Sequence, residues 1–280
     1  MAEFNVLLEG LAFPEGPRWH DGKLYLSDMH AHQVLSVTLD GRKTVVAEVS
    51  AWPSGLGWLP DGRMLIVSMT DRKLLRLDPD GLKVHADLSG LASFHCNDMV
   101  TDGAGRSYVG NFGYDLLTGA PQKPAEIVLV EPDGRARIAA TGLEFPNGTV
   151  VTADGRTLIV GESMGHRLTA FTVAADGSLG GRRVWAELGQ AVPDGIALDA
   201  EGAVWVASPF TRELLRVREG GTIAERHSFD TMPIACALGG ADRRTLFVLT
   251  ADSVNPDECR AKRSAKVWTR QVAIGGAGWP

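Results

Sequence analysis

The chain uses one short phrase six times, each time ahead of a similar strand and hairpin. It reads Phe13-Pro14-Glu15-Gly16, Trp52-Pro53-Ser54-Gly55, His95-Cys96-Asn97-Asp98, Phe145-Pro146-Asn147-Gly148, Val192-Pro193-Asp194-Gly195 and Met232-Pro233-Ile234-Ala235. After each phrase an apolar strand runs to a turn, as at His20-Asp21-Gly22-Lys23, Pro60-Asp61-Gly62-Arg63 and Ala153-Asp154-Gly155-Arg156. Asp-Gly is a strong hairpin signal because both residues tolerate positive φ. Second and third strands follow, for example Leu24 to Leu26 with Val34 to Leu39, and Thr157 to Val160 with Leu168 to Val173. Successive turn glycines lie roughly 40 to 50 residues apart, the interval of propeller blades, and no repeat carries a helical period.

These features predict an all-β chain, one six-bladed β-propeller over residues 1–280, with Phe4 to Leu8 joining the last blade to close the ring. A β-sandwich built from Asp-Gly hairpins is the competing architecture. If each phrase opens an innermost strand at one face, the Asp-Gly turns fall at the other. The mouth of the axial pocket is then lined by loops near Asp28 to His30, Ser68 to Thr70, Asn111 to Tyr114, Glu162 to Gly165, Ser208 to Phe210 and Thr250 to Asp252. Loops on a rigid scaffold are where function concentrates.

Composition excludes several classes. With 28 Lys and Arg against 34 Asp and Glu, the net charge is −6, so there is no basic stripe to bind a nucleic-acid backbone. Three widely spaced cysteines, Cys96, Cys236 and Cys259, make neither a disulfide framework nor a zinc knuckle. Glu3 and Glu9 sit in an N-terminal stretch without the basic-then-apolar pattern of a secretory signal, and no apolar run is long enough to span a bilayer. The expectation is a cytoplasmic protein, a monomer or small homo-oligomer, that binds neither nucleic acid nor membrane and acts on a small-molecule substrate. Neither a Gly-x-Ser-x-Gly elbow nor a Walker loop is present, which disfavours serine-hydrolase and nucleotide chemistry.

The third place of the phrase offers Glu15, Ser54, Asn97, Asn147, Asp194 and Ile234. Two carboxylates and two amide oxygens, from Glu15, Asn97, Asn147 and Asp194, balance a divalent cation and favour Ca²⁺, Mg²⁺ or Mn²⁺ over thiolate-seeking metals. Four protein donors would leave positions for water or substrate. Pro-Asn-Gly and Pro-Asp-Gly are also turn signals that need no metal. Glu15 is a poor turn former, however, and the hairpin turns are accounted for at the opposite face.

The chain resembles the senescence-marker-protein-30, gluconolactonase and luciferin-regenerating-enzyme-like family of six-bladed propellers. Glu15-Gly16-Pro17-x-Trp19, Asn97-Asp98 with Asp102-x-x-Gly105-Arg106, Pro146-Asn147-Gly148 and Pro193-Asp194-Gly195 match its four signature stations in order. The resemblance implies that Glu15, Asn97, Asn147 and Asp194 hold one divalent metal, Ca²⁺ foremost, with Mg²⁺, Mn²⁺ or Zn²⁺ as alternatives. It also implies a hydrolase that opens a lactone, the metal acting as Lewis acid; the expected catalytic proton acceptor is Asp194 or His95, whose imidazole lies next to the proposed cage in sequence. A phosphotriesterase-like hydrolase and a non-catalytic small-ligand-binding propeller are the alternatives. Sugar-lactone members often carry Arg two residues before the first Asn donor, where this chain has His95, and Gly-Thr-Met where it has Gly110-Asn111-Phe112. The expected substrate contacts are therefore His95, Asn111, Phe112, Tyr114 and Glu162, in a more aromatic pocket.

Among the remaining residues, Cys96 reads as a buried small hydrophobe, since adjacent strand residues such as His95 and Cys96 point to opposite faces. His30 and His32 read as pocket-mouth or surface groups rather than metal ligands. Trp19, Trp58 and Trp205 fall at blade-like positions and read as packing.

Overall fold

The computed structural model describes residues 3–116 and 118–278. Among them, 24 strands, numbered β1 to β24 in chain order, form six four-stranded antiparallel sheets arranged as a six-bladed β-propeller. The innermost strands are β2 (Pro14–His20), β6 (Pro53–Trp58), β10 (Cys96–Thr101), β14 (Pro146–Val151), β18 (Ile196–Leu198) and β22 (Met232–Gly239), and each packs against its neighbours around the axis. The sixth blade joins β22 to β23 (Thr245–Ala251) and β24 (Ala265–Gln271). It is completed by β1 (Asn5–Leu11), which pairs with β24 from Asn5↔Thr269 to Leu11↔Ala265. The ring is thus closed by the first strand of the chain, and the edge of the last blade is covered.

The core is divided into six buried apolar clusters, one in each seam between blades. Leu26, Leu35, Phe247 and Leu249 fill the seam between the first and last blades, and Tyr108, Leu129, Leu158 and Val160 that between the third and fourth. Trp205 and Leu246 meet in the seam between the fifth and sixth. Trp19 stacks on Phe247 with ring centroids 5.6 Å apart, and Trp58 stacks on His20 at 4.1 Å. Cys96 lies wholly buried among apolar neighbours, and burial pushes its thiol up to about 12, so it is inert as a nucleophile.

The repeated phrase marks where each inner strand enters its blade. In five blades the pairing of inner and second strands is offset there, between Glu15 and Arg18, Pro53 and Leu56, Cys96 and Met99, Pro146 and Thr149, and Pro233 and Ala235. An offset of this kind breaks strict alternation and re-aims a side chain. The third-place residues Ser54, Asn97, Asn147 and Ile234 sit inside it, and Glu15, paired with Ser27, stands at its edge. In the fifth blade Asp194 precedes β18, held by hydrogen bonds from Asp194 N to Ala207 O at 2.9 Å and from Ala207 N to Gly195 O at 3.1 Å.

The fourth place is glycine in four of the six phrases, at Gly16, Gly55, Gly148 and Gly195, because the next blade occupies the space a side chain would need. A Cβ on Gly148 would stand 2.4 Å from the carbonyl oxygen of Asp194, and one on Gly195 would stand 2.3 Å from Ala235 Cβ. The same close approach carries hydrogen bonds between blades, from Gly148 N to Asp194 O at 3.2 Å and from Gly195 N to Ile234 O at 2.9 Å.

The hairpin turns differ from expectation in one respect. Only Asp21-Gly22 has positive φ at both residues; at Gly62, Gly105, Gly155 and Gly202 the glycine alone takes it. The aspartate instead serves as a side-chain acceptor. Asp61 Oδ1 receives Arg63 N at 3.1 Å, and Asp199 Oδ1 receives Glu201 N and Ala203 N at 2.9 and 3.0 Å. The short carboxylate is selected because it can accept from backbone two to four residues ahead.

Gly148→Ala should therefore destabilise the protein by about 1–3 kcal/mol or more, the cost of overpacking a site that cannot yield. Gly180 has nothing within 4 Å of a built Cβ, so Gly180→Ala is the matched control, expected to change stability by less than about 0.5 kcal/mol. Urea unfolding of the two variants beside the parent measures the difference. Equal midpoints for all three would contradict backbone crowding at the axis.

Candidate functional site

A cavity of about 190 Å³ opens on the propeller face opposite the Asp-Gly turns. Its lining comes from two sources. The phrases contribute Phe13, Trp52, Phe145 and Val192 from their first place, and Glu15, Asn97, Asn147, Asp194 and Ile234 from their third. The loops after the second strands contribute Met29 and His30, Met69, Phe112, Ser163 and Met164, and Pro209 and Phe210. The sixth loop enters through Val254, just beyond the expected Thr250 to Asp252. The four oxygen-bearing side chains chosen from sequence, far apart along the chain, are thus brought into one cavity. Glu15, Asn97 and Asn147 are buried at its deep end, while Asp194 is partly open to it.

A repeated device holds the phrases in place. Proline at the second place has no N–H, and the residues before it donate to a side chain at the end of the second strand. Asp28 accepts from Ala12 N and Phe13 N at 3.0 and 2.8 Å, Glu162 from Glu144 N at 2.7 Å, and Ser208 Oγ from Val192 N at 2.9 Å. Asn147 is also tied to the fifth phrase: its Nδ2 donates to Ser163 Oγ at 3.3 Å, which donates to Pro193 O at 2.6 Å.

The electrostatics of the deep end are unbalanced. Burial, then repulsion from Asp194 and Asp98, holds the Glu15 carboxyl well above the usual range. Burial likewise pushes Asp194 up to about 8, against the Asn147 amide, which favours the ionised form. Arg18, the buried cation beside them, is already committed to Asp98, with Nη2 2.8 Å from Oδ1. Three carboxylates against one guanidinium leave two negative charges uncompensated when all are ionised, in a site too dry to solvate them. Asp194 Oδ1 and Asn97 Nδ2 are buried without any hydrogen-bond partner, which is rare enough in folded proteins to need an explanation. Among the described residues no three His, Cys, Asp or Glu side chains form a group that could hold a metal by themselves, so a cation here would also need the amide oxygens of Asn97 and Asn147 beside Glu15 and Asp194. Hard oxygen donors and a charge deficit of two fit a divalent cation such as Ca²⁺ or Mg²⁺.

Of the substrate contacts expected from sequence, Phe112 alone lines the cavity, and His95, Asn111, Tyr114 and Glu162 do not. Phe112 lines the cavity and stacks on Phe145, centroids 4.4 Å apart. His95 is half-buried outside the lining, stacked on Phe94 at 4.1 Å; burial holds its imidazole below the ordinary range, with Asp115 opposing and Arg72 adding to the shift. Asn111 is internal to its loop, donating to Glu126 O at 3.0 Å and accepting from Gly113 N at 2.9 Å. Tyr114 packs edge-on against Phe145 behind the lining. Glu162 is fully buried, bonded to Arg167 at 2.9 Å, Arg182 at 3.1 Å and Thr169, so its oxygens are spent on holding the fourth blade. Asn111, Tyr114 and Glu162 thus shape the wall from behind.

Sequence reasoning missed Trp52, Phe13 and Phe145 as cavity residues. The signal was present: the first place of the phrase is aromatic in four of its six occurrences, counting His95. His30 was placed at the mouth in sequence; it is buried in the cavity wall, between Phe13 and Trp52, with ring centroids 5.0 Å from each. Desolvation lowers its imidazole to about 4.

Comparison with known proteins identifies the fold and the family. A regucalcin of Oryctolagus cuniculus is 23% identical over 193 residues, covering 66% of this chain and 64% of that protein, so the match spans somewhat less than two thirds of the relative. The crystal structure of a calcium-binding protein, regucalcin, from Agrobacterium tumefaciens superimposes with a TM-score of 0.84 at 23% identity, covering 100% of this chain and 97% of that one. A gluconolactonase structure from Xanthomonas campestris gives 0.77 at 23% identity, with 96% and 89% covered. At these identities the structures establish the shared fold. Residues 13–252 match the family described as SMP-30/Gluconolactonase/LRE-like region, and the chain belongs to that family.

Proposed function

We propose that the protein is a lactonase whose axial cavity binds one divalent cation through Glu15, Asn97, Asn147 and Asp194. The observation that carries this reading is the pair of uncompensated buried carboxylates, Glu15 and Asp194, beside two amides in one cavity. Family membership supports the reaction class, since gluconolactonase is among the activities that name the family.

A divalent cation bound there would supply Lewis acidity to the lactone carbonyl and electrostatic stabilisation to the oxyanion that develops. The chain's own residues supply the rest. In this reading Asp194, which is partly open to the cavity, takes a proton from the attacking water as the water oxygen bonds to the carbonyl carbon. The ring C–O bond then breaks, and the same proton passes to the departing ring oxygen, giving a hydroxy acid. His95 stands outside the lining, so proton transfer falls to Asp194. The apolar wall keeps bulk water from the deep end and strengthens the electrostatics there. Phe112 contacts substrate from the wall, while Asn111, Tyr114 and Glu162 position the loops that carry it.

Asn147→Ala should lower divalent-metal affinity by at least about 10- to 100-fold, the loss typical even of groups that only support a ligand, and abolish lactone hydrolysis with it. Calorimetric titration of Ca²⁺ and Mn²⁺ into chelated parent and variant measures the first, and a lactone assay with and without chelator the second. Unaltered affinity in the variant, or full turnover after chelation, would overturn the assignment.

The charge imbalance also makes a pH prediction. An acid whose folded pKa is raised binds its proton more tightly in the folded state, so its contribution to stability is present at low pH and is lost as pH rises through the folded value. For Asp194 that window runs from its ordinary 3.8 to about 8. Metal-free protein should therefore melt lower at pH 8 than at pH 5, relative to Asp194→Asn, and a divalent cation should recover the loss at pH 8. Thermal unfolding of both proteins at the two pH values reads this directly, and parallel behaviour of parent and variant would count against it.

A further inference from the structure

We propose that the cavity selects lactones bearing an alkyl or aryl substituent, the ring at the four oxygen donors and the substituent along the wall to the rim, in preference to polyhydroxylated sugar lactones. The inference rests on the lactonase reading and narrows its substrate. Three observations carry it.

The first is the wall itself. Between the deep end and the mouth, the cavity is bounded by Trp52, Phe112, Phe145, Met69, Met164 and Ile234, side chains that offer contact area and almost no hydrogen bonding. An apolar cavity of about 150 Å³ accommodates a benzene ring, so the 190 Å³ here takes one ring with a short extension.

The second is the polar inventory of that wall. Ser163 Oγ is committed, accepting from Asn147 and donating to Pro193 O. His30 is 4% exposed, and its Nδ1 is buried without a partner. The ring therefore presents almost no polar surface to a substrate. A sugar lactone brings several hydroxyls, and each one buried without a partner loses its hydration with nothing in exchange. An alkyl or aryl substituent brings none.

The third is the rim. Leu116, Phe210 and Val254 are 40, 67 and 49% exposed, and all three line this cavity. Large apolar side chains left in water around the mouth of an apolar cavity mark a binding surface. They continue the wall outward, so a substituent longer than the cavity still finds apolar contact.

The test is a series of γ-lactones with no substituent, then butyl, hexyl and octyl chains, with glucono-δ-lactone beside them, on metal-loaded protein. kcat/KM should rise about three- to fourfold per methylene buried, and Phe210→Ser, at the exposed rim, should reduce the octyl lactone about tenfold more than the butyl one. A second readout needs no turnover: calorimetric binding of 2-alkylcyclopentanones to metal-free protein should tighten with chain length, and Trp52→Ala should flatten the trend. Turnover of glucono-δ-lactone equal to or above that of the octyl lactone, or no dependence on chain length, would overturn the substrate assignment and leave the lactonase reading standing. If no lactone is hydrolysed, the lactonase reading fails, and the ketone series decides alone: tightening with length retains an apolar ligand, and a flat series removes it.

Discussion

At the propeller axis, backbone meets backbone. Gly148 and Gly195 lie so close to the phrase of the next blade that a single methyl group has no room, and their N–H groups bond the carbonyls of Asp194 and Ile234 directly. That contact fixes the distance between neighbouring blades at their innermost point. Residues 15, 97, 147 and 194 can converge only because the strand entrances that carry them are drawn in to this radius. The offset in pairing at five of the entrances, and the placement of Asp194 ahead of β18 at the other, then takes the third-place side chains out of strict alternation, so that convergence becomes a cavity rather than one more apolar layer.

The surrounding architecture lets the deep end hold an arrangement that would be unfavourable alone. Buried carboxylates without counter-charge lose hydration that nothing nearby replaces, and Glu15 and Asp194 share that situation, since Arg18 is spent on Asp98. The offsetting stability comes from the six apolar seams and from ring closure by β1 and β24, none of which involves the donors. Separation of this kind is common in functional sites, where a rigid scaffold supports groups that a stability criterion alone would not select. The aromatic wall adds to the imbalance by lowering the local dielectric, which also strengthens any charge interaction made there.

Much of the scaffold was legible in the sequence because it repeats. The phrase at Phe13, Trp52, His95, Phe145, Val192 and Met232 located the six inner strands, and the turn glycines located the opposite face. The aspartates of those turns were read for their tolerance of positive φ, yet all but Asp21 act through their side-chain oxygen, which a dipeptide does not distinguish. The repeat also signalled where the donors would gather. It did not reveal which neighbours would be spent on structure. Glu162 and Asp28 occupy equivalent strand ends and hold the backbone ahead of their phrases, a role visible only once Glu144 N and Phe13 N are seen to point at them.

Sequence by itself determined the architecture and the chemical type of the four oxygen-bearing side chains that meet in the cavity, because period and residue identity survive in one dimension. Tertiary structure decided everything that depends on which side chain faces which. It placed His95 against Phe94 and outside the cavity, though it lies two residues from Asn97, and it brought His30, far away in the chain, into the wall beside Trp52. It left Asp194 Oδ1 without a partner while giving Glu162 several. Burial and partner choice are properties of the packed ring, set by contacts between residues from different blades, and no local stretch of sequence contains them.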